Sequence, residues 1–484
     1  MATSQRWKQI CFQLRLKSTQ LFIVAGSVLL AVLISLICIG ITIRYEVEYE
    51  VVNLSDVDYW KDQVSPEQKF WYDKGIQELQ QAMRIYSKQS KPKNVLILLV
   101  NGIDGRALAA ARFPGENSTK EHAHFVWDQF PHLARIKNSC SYNSPCDMSS
   151  VSRALWSGVP LKAGIRNSTS QIMSRNCSRL DQFHSILRQA QLAGLRTGFV
   201  TNQRITGATG AALYANVAET SWECDGLMPL GSIEAGCEDV ALQLISGETG
   251  QALNVVMGGG RQLLSAKVPI YTWDPLDELL CRARNGRNLL RDWRNLKLKL
   301  RPRKRFEVVQ HEKELSSINA TNLDYLMGVL ANGDLTANSQ APSLKLMLNK
   351  TLEVLRRSTV RHLLIWEHFV RPEMNATREL RLLNETLSTL LGQKNTLTLV
   401  LLTNGNYLSP SRDVSGETDL TSTLDETFNQ SELQLQLILQ QMSSESLLFA
   451  QGPKSLLFYG VHEETYLAQA LSYALGLNAF GNQL

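Results

Sequence analysis

Lys93-Asn94-Val95-Leu96-Ile97-Leu98-Leu99-Val100-Asn101-Gly102-Ile103-Asp104-Gly105 is the stretch that decides the fold of this 484-residue chain. Its apolar run, bounded by a polar start and a Gly-containing end, predicts a strand buried on both faces. That is the pattern of the first parallel strand of an α/β sheet. The loop after such a strand lies outside the carboxyl end of the sheet, where these folds place their chemistry. Whether Asn101, an uncharged amide, can do chemistry there decides the function.

Outward from this strand, further apolar runs predict strands at 197–201, 253–257, 362–366, 397–402 and 455–458. Helical patterns separate them, at 106–113, 147–155, 180–193, 238–245, 344–357, 378–392 and 464–474. An earlier helix is announced by Ser65 as N-cap, Pro66 at the first helical position and Gln68 closing a capping box. Strands alternating with helices over this length predict an α/β fold: a large, mostly parallel central sheet with helices on both faces.

The composition is ordinary, with 44% apolar and 20% charged residues, and without a low-complexity tract or internal repeat. The exception is residues 21–43, a run of 23 residues without a charge. At about 1.5 Å rise per residue it is long enough to cross a hydrocarbon layer of about 30 Å. Arg6, Lys8, Arg15 and Lys17 precede it without an acid, whereas Glu46, Glu48, Glu50 and Asp56 follow. The positive-inside bias then puts residues 1–20 in the cytosol as a tail and makes 21–43 a signal-anchor helix. A stem at 44–64 and an extracellular domain at 65–484 follow, in a single-pass type II arrangement at the cell membrane. The tail contributes most of the net charge of +5, so the pI of 8.7 gives no reason to expect a nucleic-acid partner. No lipid-anchor signal closes the chain.

Two features agree with export. Nine N-x-S/T sequons, from Asn53 to Asn429, all follow the apolar run. Six of the eight cysteines, Cys140, Cys146, Cys177, Cys224, Cys237 and Cys281, follow it too. Six cysteines permit 15 pairings, so their connectivity stays open at this stage. Residues 282–305 carry eleven Lys or Arg against one acid, Asp292. This stretch reads as a solvated surface segment or as a patch for an acidic glycan or lipid.

Several landmarks recur in the order and spacing of one family. They are Phe70-Trp71, Asn94 to Gly102, Ala110 with Arg112-Phe113, Asp147 with Gly158-Val159, Met257-Gly258-Gly259-Gly260-Arg261, Glu367, Gln451-Gly452-Pro453 and Gly460 to Thr465. On these residues the chain resembles the alkaline phosphatases from about residue 56 to 477. The resemblance implies a phosphomonoesterase with two zinc ions, one magnesium, a serine nucleophile and a homodimeric sandwich. Such chemistry needs carboxylates and imidazoles around the metals and an Arg fork on the phosphoryl oxygens.

Position by position, the resemblance implies loss. The zinc–magnesium bridging Asp is Asn101, and the nucleophile position is Met148, a thioether without a proton to give up. The His and Ser/Thr pair near magnesium falls on Gly207 and Thr209, and the phosphate-binding Arg on Thr220. The magnesium-site Glu survives as Glu367. The zinc ligands fall on Pro372, Ala376, Asn404, Gly405 and Gln441. The expectation is a degenerate, inactive member with vestigial magnesium-type positions at Thr209 and Glu367, using no cofactor. Two alternatives are kept: weak metal-dependent hydrolysis, and an inactive partner that forms a heterodimer with an active paralogue. His122, His124 and His368 are read as incidental, packing or surface histidines. The resemblance also implies a Cys177–Cys237 disulfide. The insert between Gly405 and Gln441, 35 residues, is a shortened crown that makes a homodimer less secure.

Overall fold

The computed structural model describes residues 67–75, 91–112, 124–137, 148–159, 184–217, 221–403 and 445–477, together with Leu30 and Ser35. Within those ranges positions 72, 104, 285, 358, 372–373 and 394 are excepted. The chain divides into two compact units, Met1–Trp60 and Lys61–Leu484. Of the first, only the helical Leu30 and Ser35 are described, so the span expected at 21–43 otherwise lies outside the described residues. Among the described residues no helix is long and apolar enough to cross a membrane.

The second unit contains ten described strands: β1 Asn94–Asn101, β2 His132–Lys137, β3 Arg196–Arg204, β4 Val255–Gly259, β5 Phe306–Val309, β6 Tyr325–Val329, β7 His362–Phe369, β8 Thr396–Thr403, β9 Ser446–Gln451 and β10 Gly460–Glu463. They form one sheet in the order β10-β2-β9-β8-β1-β7-β3-β4-β6-β5. The seven strands from β8 to β5 are parallel, and β9 is antiparallel to both its neighbours. The fold class is the one expected.

β1 lies between β7 and β8, in the middle of the parallel part. Its side chains alternate between two cores. Val95, Ile97 and Leu99 join one cluster, and Leu96, Leu98 and Val100 join the other. A strand inserted between two helical layers has no solvated face, which is why its sequence is apolar throughout rather than alternating. The first layer contains the helices Met148–Ser157, Ala208–Tyr214, Leu289–Leu300 and Tyr466–Leu475. The second contains Gly105–Arg112, Leu344–Leu355 and Ala376–Leu390.

One expected strand is corrected. Ser455–Phe458 is a 3-10 helix, because Gly452 and Lys454 take left-handed backbone angles and turn the chain there. The late strands are β9 before it and β10 after it. The basic stretch is not simply a solvated segment either. The helix Leu289–Leu300 carries the chain back towards the start of β5, and it turns Lys297 inward. The Lys297 amine donates to the Gln251 carbonyl at 2.5 Å and lies 3.6 Å from the centre of the Tyr325 ring. Burial pushes its pKa down to about 7, and Arg301 adds to the effect.

At the other end of β7, His362 is buried with its backbone amide on the Asn94 side chain. Burial, then Arg356, Arg196 and Lys93, push its pKa down to about 4. The unfolded chain, with a histidine near 6.5, therefore takes up this proton first. The stability linked to His362 is complete above about pH 6.5 and is lost as pH falls towards 4, by roughly 3 kcal/mol. Urea midpoints recorded between those limits should fall less steeply for His362→Gln than for the wild type. Parallel curves would remove His362 from the account.

Candidate functional site

The carboxyl end of β1 and its neighbours brings Asn101, Thr201, Thr209, Glu367 and Thr403 together. Parallel register does this: Leu99 and Thr201 both align with Glu367, and Asn101 aligns with Thr403. Side chains at matched positions of parallel strands share a face, so Glu367, Thr201 and Asn101 meet on one side of the sheet. The helix Ala208–Tyr214, with Gly207 as its N-cap residue, brings Thr209 over that face. After Asn101 the chain must turn at once: Gly102 has φ +91°, and a Cβ there would sit 2.1 Å from the Val370 carbonyl oxygen. Only glycine is compatible with both.

Three of the four polar neighbours bond Glu367 directly, and Thr403 is joined to it through Asn101. The Asn101 amide donates to Glu367 Oε1 at 2.7 Å, and Thr209 donates to the same oxygen at 2.5 Å. Thr201 donates to Oε2 at 2.7 Å. Thr403 donates to Asn101 Oδ1 at 2.7 Å, which leaves the amide nitrogen as the end that faces the carboxylate. Glu367 is buried, and burial pushes its pKa up although the two threonine hydroxyls oppose this. The site is therefore a desolvated carboxyl group ringed by neutral donors.

Beside it stands a charged network. Arg204 forks onto Glu223 through Nε and Nη2 and reaches Asp334 through Nη1 at 2.8 Å. Arg371 also donates to Asp334, at 2.9 Å. Burial pushes the Glu223 carboxyl up, but the Arg204 fork and Thr206 outweigh it and hold the pKa below the usual range. Each charge here has a counter-charge, so the network is a clamp on the carboxyl edge and presents no open guanidinium to a phosphoryl group.

The expected positions separate into three sets. Asn101, Thr209 and Glu367 come together as above. Gly207 and Ala376 begin helices, and neither has a donor side chain. Met148 opens its helix. The Met148 side chain lies outside the described residues, as do Cys177, Thr220, Pro372, Asn404, Gly405, Gln441, the crown insert and the 122–123 part of the histidine pair. Thr201 and Thr403 went unnoticed in the sequence, although each is the polar residue at the carboxyl end of an apolar strand. His368, on the opposite face of β7 from Glu367, pairs with Glu379 at 3.0 Å and has a packing role. Cys237 is disulfide-bonded, and Cys224 bonds to Cys281.

A family model for alkaline phosphatase matches residues 92–367, more than half of the chain. The chain belongs to the alkaline phosphatase family. It is 28% identical over 476 residues to an alkaline phosphatase of Gadus morhua, covering 84% of this chain and 97% of that protein. It is 29% identical over 279 residues to a membrane-bound alkaline phosphatase of Bombyx mori, covering 55% of this chain and 50% of that protein. In fold it matches a variant of the alkaline phosphatase from the Antarctic bacterium TAB5 with magnesium bound in its M3 site. The TM-score is 0.51 at 16% identity, over 81% of this chain and 99% of the other.

Membership corrects one expectation. The absence of any cofactor was inferred from the replaced zinc positions, but the family points to metal cofactors, and magnesium is bound in the TAB5 variant. Magnesium takes hard oxygen ligands and keeps several waters, so it asks less of the protein than zinc does. The described donors around Glu367 are one carboxylate, three hydroxyls or amides, and no imidazole or thiolate. They do not fit a pair of zinc ions. Glu367 and Thr209 do fit as two oxygen ligands of a magnesium ion.

Proposed function

We propose that this member of the alkaline phosphatase family has lost phosphomonoesterase catalysis and serves as a membrane-anchored binding or scaffold ectodomain. The observation that carries the reading is Glu367, whose oxygens are occupied by Asn101, Thr201 and Thr209. Phosphoryl transfer needs an activated nucleophile, a charged centre that stabilises it and a clamp on the phosphoryl oxygens. Met148 in the nucleophile position has no acidic proton. Asn101 in the bridging position has no charge. Thr220 in the clamp position has no guanidinium. Where magnesium binds, Glu367 and Thr209 would hold it, and its charge would favour the ionised carboxylate against burial.

The anchoring part of the reading is supported by the uncharged run at 21–43, by the basic residues ahead of it and by the disulfides, which oxidising compartments favour. The sequon residues Asn319, Asn349 and Asn375 are exposed, as attached glycans require.

Hydrolysis of p-nitrophenyl phosphate by the purified chain in detergent, with zinc and magnesium supplied, tests the loss of catalysis. The expected result is no turnover above the metal-containing buffer. A specific observation favours a second reading, weak magnesium-dependent hydrolysis: Thr209 and Glu367 remain in contact. Turnover that disappears in Glu367→Ala would establish that reading and end the first.

A further inference from the structure

We infer that the amino edge of the sheet, opposite the Glu367 end, is a docking surface for a linear sulfated polysaccharide, held by Arg301, Arg303, Lys304, Arg305, Arg356 and Arg357. The inference goes beyond the reading of the Glu367 site and uses none of its residues. Three separate parts of the chain meet there. Residues 301–305 lead into β5, Arg356 and Arg357 follow the helix Leu344–Leu355 on the way to β7, and Arg196 begins β3. Phe306 aligns with Tyr325, and Arg196 with His362, so these segments lie at the same edge.

One acid, Asp324, serves three of these cations. It lies 3.9 Å from Arg196 and 3.6 Å from Lys304, and it also bonds Arg357. Asp324 is buried, whereas Lys304, Arg356 and Arg357 are exposed, so the compensation is internal and the positive face is external. The field is felt inside as well. Arg356, Arg196 and Lys93 all push the same buried His362 down, after burial itself, and Arg357 acts likewise on Arg196. Glu353, half-buried and 3.7 Å from Lys350, and the exposed Glu307 are further carboxylates near this edge.

The cations stand between the starts of β7 and β5, a stretch of five parallel strands about 19 Å long at about 4.8 Å per strand, which suits several oxyanions of one polyanion rather than a single phosphate. The cations are mostly arginines, whose planar forks match tetrahedral oxyanions. Leu298 and Leu300 are exposed next to one end of the row, so an anionic bilayer is the competing occupant.

The basic run in the sequence and the basic edge in the structure are different objects, and this makes a clean test. Arg282, Arg284 and Arg291 belong to the run but precede most of the helix that carries the chain to the amino edge. Arg303, Arg305 and Arg356 sit at the edge, exposed and without a side-chain ion pair among the described residues. Binding of the full chain in detergent to immobilised heparin is measured over a salt series, with desulfated heparin as blank.

The wild type should bind only the sulfated form. Arg303→Ala/Arg305→Ala/Arg356→Ala should bind about tenfold or more weakly with a shallower salt dependence, since three weak surface pairs add to that order. Arg282→Ala/Arg284→Ala/Arg291→Ala should stay within about twofold. Equal loss in both triple variants, or no loss in the first, would overturn the proposal. So would a wild type that ignores heparin but sediments with phosphatidylserine vesicles.

Discussion

Replacing Arg261 with methionine is expected to destabilise the fold by about 3–5 kcal/mol, the range for breaking a buried charge pair from one side. Arg261 is 1% exposed and follows Gly260, whose φ of +101° sets the entry to a short helix. Its Nη1 donates to Asp274 at 2.8 Å and to Asn332 Oδ1 at 2.9 Å. Its Nη2 donates to the carbonyls of Gln310 and Val329, at 2.7 and 3.2 Å. Methionine fills much of the volume but leaves Asp274 buried with its charge unmatched, along with two carbonyls without their donor. Arg261→Met combined with Asp274→Asn should cost less than the two single losses added together, because the second change removes the orphaned charge. Urea unfolding of the four proteins measures this. A loss below about 1 kcal/mol for Arg261→Met would show that the pair does not hold this edge.

This bears on what the Gly258-Gly259-Gly260-Arg261 motif does in the fold. A Cβ on Gly259 would lie 2.1 Å from the Gly333 carbonyl oxygen, and Arg261 ties β4, β6 and the 270s loop into one edge. The motif is structural, so it is required whether or not substrate is turned over. The same separation explains what the sequence could and could not disclose. β1, β7 and β8 were legible because strands buried on both faces are written as unbroken apolar runs. β5 and β6 were not, since at four and five residues each they are too short for periodicity to separate from a helix and neither is closed by a glycine run like Gly258-Gly259-Gly260 at the end of the equally short β4. The 455–458 run failed for a related reason: four apolar residues do not distinguish a strand from a buried turn.

At the site, Asn101, Thr209 and Glu367 were legible through the family motif. Thr201 and Thr403 were not, because their role comes from register between strands that lie some 166 and 302 positions from their partners. The amino-edge cations were half legible. The run at 301–305 is visible as composition, but nothing local announces that Arg356 and Arg357 stand beside it. Fifteen possible pairings hid the Cys224–Cys281 bond in the same way, since it depends on a contact 57 residues apart.

Removing that bond with Cys224→Ala/Cys281→Ala is expected to cost roughly 4 kcal/mol on the chain-entropy view of a loop this long. The surroundings argue that little of this is offset by relaxation. Both cysteines are buried against Leu263. A Cβ on Gly226 would come 3.1 Å from the Cys281 sulfur and 2.3 Å from the Arg282 carbonyl oxygen, so the two segments are in close contact. Arg287 bonds Asp239 at 2.7 Å and lies 3.3 Å from Asp225, closing the same junction electrostatically. The double variant should therefore unfold at a lower urea concentration with a somewhat steeper slope, because the unfolded chain, freed of its constraint, exposes more surface. The wild type treated with a reductant under unfolding conditions should show a loss at least as large, since Cys237 is disulfide-bonded as well. Chain produced in a reducing cytosol should resemble the reduced sample until oxidised. If the double variant unfolded at the same urea concentration as the wild type, the junction would be held by Arg287 and packing, and the bond would be ornamental to stability.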